Sequence, residues 1–241
     1  MKFLTPIFIA LALTACPSTS SGTPNDPQPT ANMLTGTVLD SAGKPISGAK
    51  VYADHTQYYN TNAIGVTDAY GHYKIDVSQP VGSWHATAQV VQQFNGHSYS
   101  FDLMPNNDDP FAGSSGAVRN FTWKLSGKRP DGYDYGQLVV AYADFSVFDI
   151  DMSKVELTLE PVGALPDGSQ GKIISATLVH TSDGDAVTDV PVARYKITAK
   201  LASEALNVRV RNQGQYVSSI TTDFVSILPT VHRIEIEVNR P

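Results

Sequence analysis

From Leu34 to Pro241, no apolar pattern of helical period persists beyond two turns. Short alternating or β-branched runs stand in its place, separated by clusters of Gly, Pro, Asn and Asp. Alternation puts successive side chains on opposite faces of a pleated strand, and such clusters reverse the chain. A chain punctuated in this way folds as antiparallel sheets packed face to face, so the fold class is all-β. Composition agrees. Only five glutamates occur in 241 residues, all at Glu156 or later, whereas long solvated helices draw on glutamate. The formal net charge of −6, without Lys/Arg clusters, argues against nucleic acid as a partner. A single cysteine excludes a disulfide framework and a four-cysteine zinc site.

In the first half the runs 34–40, 49–55, 63–67, 72–77, 83–92, 97–104 and 118–125 read as seven strands. They carry Gly36-Thr37-Val38-Leu39-Asp40, then Gly43-Lys44-Pro45-Ile46-Ser47-Gly48-Ala49-Lys50-Val51, then Thr67-Asp68-Ala69-Tyr70-Gly71-His72-Tyr73. Asp40 with Gly43, and Asp68 with Gly71, suit tight turns, and Tyr73 and Ile75 fall on one sheet face. Over roughly 34–125 this pattern resembles the carboxypeptidase regulatory-like domain. The resemblance implies a prealbumin-like (transthyretin-like) seven-stranded sandwich that has no catalytic group of its own.

The second half repeats the texture in 137–143, 153–160, 172–181, 192–201, 205–212, 215–224 and 231–238. Pro80-Val81, Trp84 and Thr87-Ala88 recur 111 residues later as Pro191-Val192, Tyr195 and Thr198-Ala199. Lys50-Val51 and Lys154-Val155 each open an early strand. Residues 137–241 therefore read as a second prealbumin-like sandwich or another antiparallel one, although the Thr-Asp-x-x-Gly-x-Tyr turn is missing there. The Gly/Pro/Asp stretch 126–136 reads as a linker, with Tyr133 and Tyr135 placed to dock against a domain.

The amino terminus has a basic start, a short apolar run and small residues before Cys16, the pattern of a secretory signal. Leu13-Thr14-Ala15-Cys16 resembles the bacterial lipobox. That resemblance implies a signal peptide over 1–15 and a lipid on Cys16, tying an extracytoplasmic protein to a membrane or the cell surface. Pro/Ser/Thr-rich residues 16–33 cannot bury enough apolar surface to fold and read as a disordered stalk.

Chemistry is sparse. The six histidines, His55, His72, His85, His97, His180 and His232, stand singly and read as surface strand or turn residues. Neither a zinc-peptidase spacing nor a Gly-x-Ser-x-Gly elbow occurs, so no enzyme and no cofactor are expected. The acidic turns at Asn106 to Asp109, at Asp149 with Asp151, and at Asp183, Asp185 and Asp189 read as ordinary turns. Asp108 and Asp109 are the first candidates should calcium bind. Tyr52, Tyr73, Trp84, Tyr99, Phe101 and Trp123 alternate with polar residues and read as core. Ligand recognition falls instead to two polar aromatic loops, Gln57-Tyr58-Tyr59 and Phe94-Asn95. Collagen-adhesin B-type sandwiches resemble this fold and carry a Lys–Asn isopeptide bond, for which Lys50 and Asn120 would be the pair. The function expected is a lipid-anchored envelope module, structural or adhesive, that binds an envelope polymer or partner protein. A displayed carbohydrate-binding module is the alternative, and an accessory domain beside a separate enzyme is a third reading.

Overall fold

The computed structural model describes residues 28–146 and 149–241. The signal segment 1–15, Cys16 and the stalk up to residue 27 lie outside the described residues. The chain is all-β, in sandwich-like sheets, and among the described residues its helical structure is limited to two single 3-10 turns.

The first ten strands are β1 (Met33–Asp40), β2 (Lys50–His55), β3 (Asn62–Val66), β4 (His72–Asp76), β5 (Ser83–Phe94), β6 (His97–Asp102), β7 (Met104–Pro105), β8 (Phe111–Ala112), β9 (Ala117–Val118) and β10 (Phe121–Trp123). One sheet runs β4-β1-β10-β7, with β1 and β10 parallel; β9 extends β10's side of β1. The other runs β3-β2-β5-β6, antiparallel throughout, with β8 beside the start of β5. The expected alternation is what faces the two sheets toward each other. Val51 and Ala53 in β2, Tyr73 and Ile75 in β4, and Trp84, Ala86, Ala88 and Val90 in β5 are buried. Trp123 also packs inside, 5.3 Å from Phe101 between ring centroids.

The quoted motif residues are building devices. Asp40 Oδ1 accepts from the backbone N–H groups of Ala42 and Lys44, and Asp68 Oδ1 does the same for Tyr70 and His72. Thr67 Oγ1 accepts from Ala49 N–H and donates to the Ile46 carbonyl, joining the strand starts. At Gly36 a Cβ would sit 1.7 Å from the Arg119 carbonyl oxygen, which receives the Tyr73 hydroxyl at 2.7 Å. Glycine is therefore the residue that lets β1 pass beneath the break between β9 and β10.

The remaining strands are β11 (Gln137–Ala143), β12 (Val155–Pro161), β13 (Ile174–Thr177), β14 (Val179–Thr181), β15 (Gly184–Val190), β16 (Tyr195–Leu201), β17 (Glu204–Val210), β18 (Ile220–Thr222), β19 (Val225–Leu228) and β20 (Val231–Asn239). β11 lies between β15, antiparallel, and β20, parallel; β13-β12-β16-β17 follow one another antiparallel. This is the order of β4-β1-β10 and β3-β2-β5-β6 met again. β17 makes the difference: it pairs with β16 through Leu206 and with β20 from Asn207, joining its two sheets along one strand.

The echo at Pro80 and Pro191 marks equivalent strands. Trp84 of β5 and Tyr195 of β16 are both 1% exposed, and Ala88 and Ala199 are both buried. The second echo is displaced. Ala88 pairs with Val51 whereas Ala199 pairs with Leu157, so Leu157 rather than Val155 is the counterpart of Val51. Some strands differ from the reading of the sequence: β8 lies outside the expected runs, and β13 and β14 divide the run 172–181. β15 occupies residues taken for an acidic turn, and β19 is separate from β18.

No ladder joins β1–β10 to β11–β20 among the described residues. Side chains and the connecting segment join them instead. Tyr99 donates its hydroxyl to the Phe224 carbonyl at 2.7 Å, and Asn95 Nδ2 donates to Asp223 Oδ1 at 2.8 Å. The buried side chains of both strand groups belong to one contiguous cluster.

Candidate functional site

The residues selected from sequence do not converge on one place. Tyr59 is fully exposed, while Tyr58 is half-exposed and stacked on His55 at 4.6 Å between ring centroids. His55 closes this loop from below, since its Nδ1 accepts the backbone N–H groups of Gln57 and Tyr58 at 3.2 Å. Phe94 is partly buried against the core, and Asn95 uses its amide on Asp223 of the other strand group. The Phe94–Asn95 turn is therefore a contact between the two groups.

The acidic turns are committed locally. Asp108 lies 3.1 Å from His85 Nε2, and Asp109 accepts Arg119's guanidinium through its carbonyl. Asp149 pairs with Arg240, Asp151 with Lys154, and Asp185 with His180. Among the described residues no three His, Cys, Asp or Glu side chains are grouped to hold a metal ion. The isopeptide reading fails on position. Lys50 is exposed in β2, whereas Asn120 stands beside β1 in the other sheet and accepts both the backbone N–H and the hydroxyl of Thr37.

Two histidines correct the sequence reading, because His55 and His232 are buried. His232 is 0% exposed at the meeting of the two strand groups. Its Nε2 donates to the Ser100 carbonyl of β6 at 3.0 Å, and its Nδ1 faces the Ser226 hydroxyl of β19 at 3.0 Å. The ring stands edge-on to Tyr99 at 5.0 Å. Burial holds its pKa below the ordinary value, against the opposing effect of the Ser100 hydrogen bond. The neutral imidazole satisfies both contacts, one as donor and one as acceptor.

The connecting segment is held at both ends. Asp189, expected only as a turn acid, accepts Gly127 N–H and Gly136 N–H with its carboxylate. Arg129 reaches Asp102 of β6 at 2.6 Å, and Lys128 pairs with Asp134 to close the segment on itself. Tyr135 docks and is buried; Tyr133 remains 75% exposed. Sequence reasoning also missed the buried carboxylate of Glu237. It is satisfied by Arg209 at 2.6 Å, by the Tyr216 hydroxyl and by Asn212 N–H. A carboxylate so saturated is a structural ion pair rather than a general acid or base.

A cleft of about 760 Å³ opens where the hairpin after β1 faces the turn at 165–169 of the other group. A narrower branch of about 270 Å³ shares Asp40, Lys44 and Asp167 with it and reaches Trp123.

No family model matches this chain. No curated protein matches it either. Among solved structures it is similar to the Bacillus anthracis TIE protein at 10% identity, covering 86% of this chain and 34% of that one, with a TM-score of 0.33. It is similar to a Streptococcal ancillary pilin at 8% identity, covering 88% and 63%, with a TM-score of 0.25. A third similarity is to a C-terminal fragment of pilus adhesin SpaC from Lactobacillus rhamnosus GG, at 11% identity, covering 88% and 98%, TM-score 0.26. The chain thus spans 34% and 63% of the first two structures' lengths. Overlap at this level assigns no partner.

Proposed function

We propose that this is a non-catalytic, lipid-anchored cell-envelope protein, a structural or adhesive module held away from its membrane on a short stalk. In this reading residues 1–15 are a lipoprotein signal peptide, Cys16 carries the lipid, and 16–33 form the stalk. Two tandem prealbumin-like sandwiches follow, at 34–125 and 137–241, joined by 126–136. The stalk ends short of residue 33, because Asn32 N–H already donates to Gly113 and Val77 N–H to Asn32.

The observation that carries the reading is the docking of two like-ordered strand groups through His232, Tyr99 and a clamped connector. His232 and Tyr99 are spent on joining the two halves, and most of the acidic side chains are tied up in ion pairs or turn hydrogen bonds. That is the construction of a rigid body for presentation. A second acyl chain on the same cysteine turns marginal membrane binding into stable anchoring.

Fractionation of cells producing the wild type and Cys16→Ser tests the anchor. The wild type is expected in membrane fractions and the variant in the soluble extracytoplasmic fraction; a variant that stays with membranes contradicts the anchor. A glycan-binding role for the Tyr58–Tyr59 loop is the second reading, favoured by a fully exposed Tyr59 beside a Tyr58 ring held in place by His55.

A further inference from the structure

The sheet β3-β2-β5-β6 has two edges, and the molecule treats them differently. In an antiparallel ladder, successive residues turn their backbone groups toward a neighbouring strand and then away from it. Leu103 N–H donates to the Ala88 carbonyl, so Ser98, Ser100 and Asp102 of β6 face away from β5. The other strand group takes two of those carbonyls: the Ser226 hydroxyl donates to Ser98 and His232 Nε2 to Ser100. The β6 edge is capped from within the chain.

The β3 edge is open. Thr67 N–H donates to the Ala49 carbonyl and His55 N–H to the Thr61 carbonyl, which sets the phase of the β2–β3 pair. Asn62, Ile64 and Val66 therefore turn their N–H and C=O groups away from β2. Among the described residues those groups have no partner. The side chains of the same three residues are exposed, Ile64 at 56% and Val66 at 58%. Sheet edges are ordinarily blunted by charge or by proline. β4, the open edge of the facing sheet, exposes His72, Lys74 and Asp76. β3 reads Asn62-Ala63-Ile64-Gly65-Val66, with neither charge nor proline.

A second copy of β3 fits this edge. When the two strands lie antiparallel about a two-fold axis at Ile64, Ile64 faces its own counterpart and Asn62 faces Val66 in both directions. These positions share one hydrogen-bonding phase, so every outward N–H and C=O of the three residues is satisfied at once. Charge favours the same register. Lys50 stands beside Val66 and Asp54 beside Asn62, and among the described residues neither has an ion-pair partner in its own chain. Each outer row across the axis then runs from Lys50 of one copy to Asp54 of the other, and no like charges share a row. We infer that the chain forms a two-fold dimer through β3, which joins two four-stranded sheets into one. The inference goes beyond the anchored-module reading and does not depend on it. A five-residue strand from each copy makes a small interface, of the transient kind.

Sedimentation velocity of the full chain carrying Cys16→Ser, which has no thiol, tests it between about 1 μM and 1 mM. A dimer that grows with concentration is expected. Adding Ile64→Lys sets two ammonium groups opposite each other across the axis and should weaken the dimer about tenfold or more, with an unchanged urea midpoint. A site-specific arm does not depend on that variant. Hydrogen-bonded antiparallel partners have Cα atoms about 5.5 Å apart, within the reach of a disulfide. Under mild oxidation Ile64→Cys should give a covalent dimer, whereas Val91→Cys, equally exposed at 58% but two strands away, should not. A chain that stays monomeric up to about 1 mM, a dimer indifferent to Ile64→Lys, or cross-linking as efficient at position 91 as at 64 would each overturn the inference. None of these outcomes touches the anchor, which the Cys16→Ser fractionation decides separately.

Discussion

At the scale of single residues, the most informative positions are those where a side chain is absent or hidden. Gly36 has no room for a methyl group, because the Arg119 carbonyl would lie 1.7 Å from its Cβ. Gly36→Ala is expected to cost about 3 kcal/mol, read as a lowered midpoint in urea unfolding with an unchanged slope. An unchanged midpoint would show that β1 can shift aside. His232 behaves as a proton-sensitive joint. Its folded pKa lies below the ordinary 6.5, so the unfolded chain binds the proton more readily. Its contribution is complete above about pH 6.5 and is lost as pH falls through that value toward the folded pKa. Of the groups packed on the ring, Tyr99 is titratable, and burial pushes its phenol up to about 12, so it stays neutral over this range. Unfolding between about pH 7.5 and pH 5 should therefore lose stability more steeply in the wild type than in His232→Phe. Equal slopes would remove His232 from the account. The Gly36 requirement was legible as part of a motif; burial of His232 was not, since Tyr99, Phe101 and the Ser100 carbonyl, which cover it, are remote in sequence.

At the scale of elements, regular alternation was easy to read and its absence misled. β2, β5, β12 and β16 follow apolar periodicity and stand within a few residues of their expected limits. β15 was hidden because Asp183, Asp185 and Asp189 have the composition of a turn, and only pairing with β11 and β14 holds that stretch extended. β19 exposes all four of its residues, so it carries no alternation to detect. Asp189 illustrates what such residues do. It adopts a positive φ of 54° and collects the N–H groups of Gly127 and Gly136, fixing both ends of the connector. Asp189→Ala should cost about 1–3 kcal/mol and open 126–136 to limited proteolysis, while the strand groups on either side stay protected. A connector as resistant as in the wild type would mean that Arg129 and Asp102 suffice to hold it. The candidate site was less legible than the strands. Its first wall, the hairpin after β1, was in plain view, but the cleft exists only because the 165–169 turn of the other group faces it.

At the scale of the whole molecule, the docking of the two strand groups is the claim on which presentation depends. A connector of eleven residues could let the two strand groups swivel, yet here it is clamped by Asp189 on one side and by the Arg129–Asp102 pair on the other. Around His232 the two groups share hydrogen bonds, from His232 to the Ser100 carbonyl and from Tyr99 to the Phe224 carbonyl. The most direct test is a distance between the groups in solution, measured by pulsed electron spin resonance on labels at Tyr70→Cys and Ile173→Cys, both exposed positions, with Cys16→Ser to leave no other thiol. A single narrow distance distribution near neutral pH is the result predicted. A broad distribution under the same conditions would mean that the groups move independently, and it would contradict the rigid joining of the two strand groups.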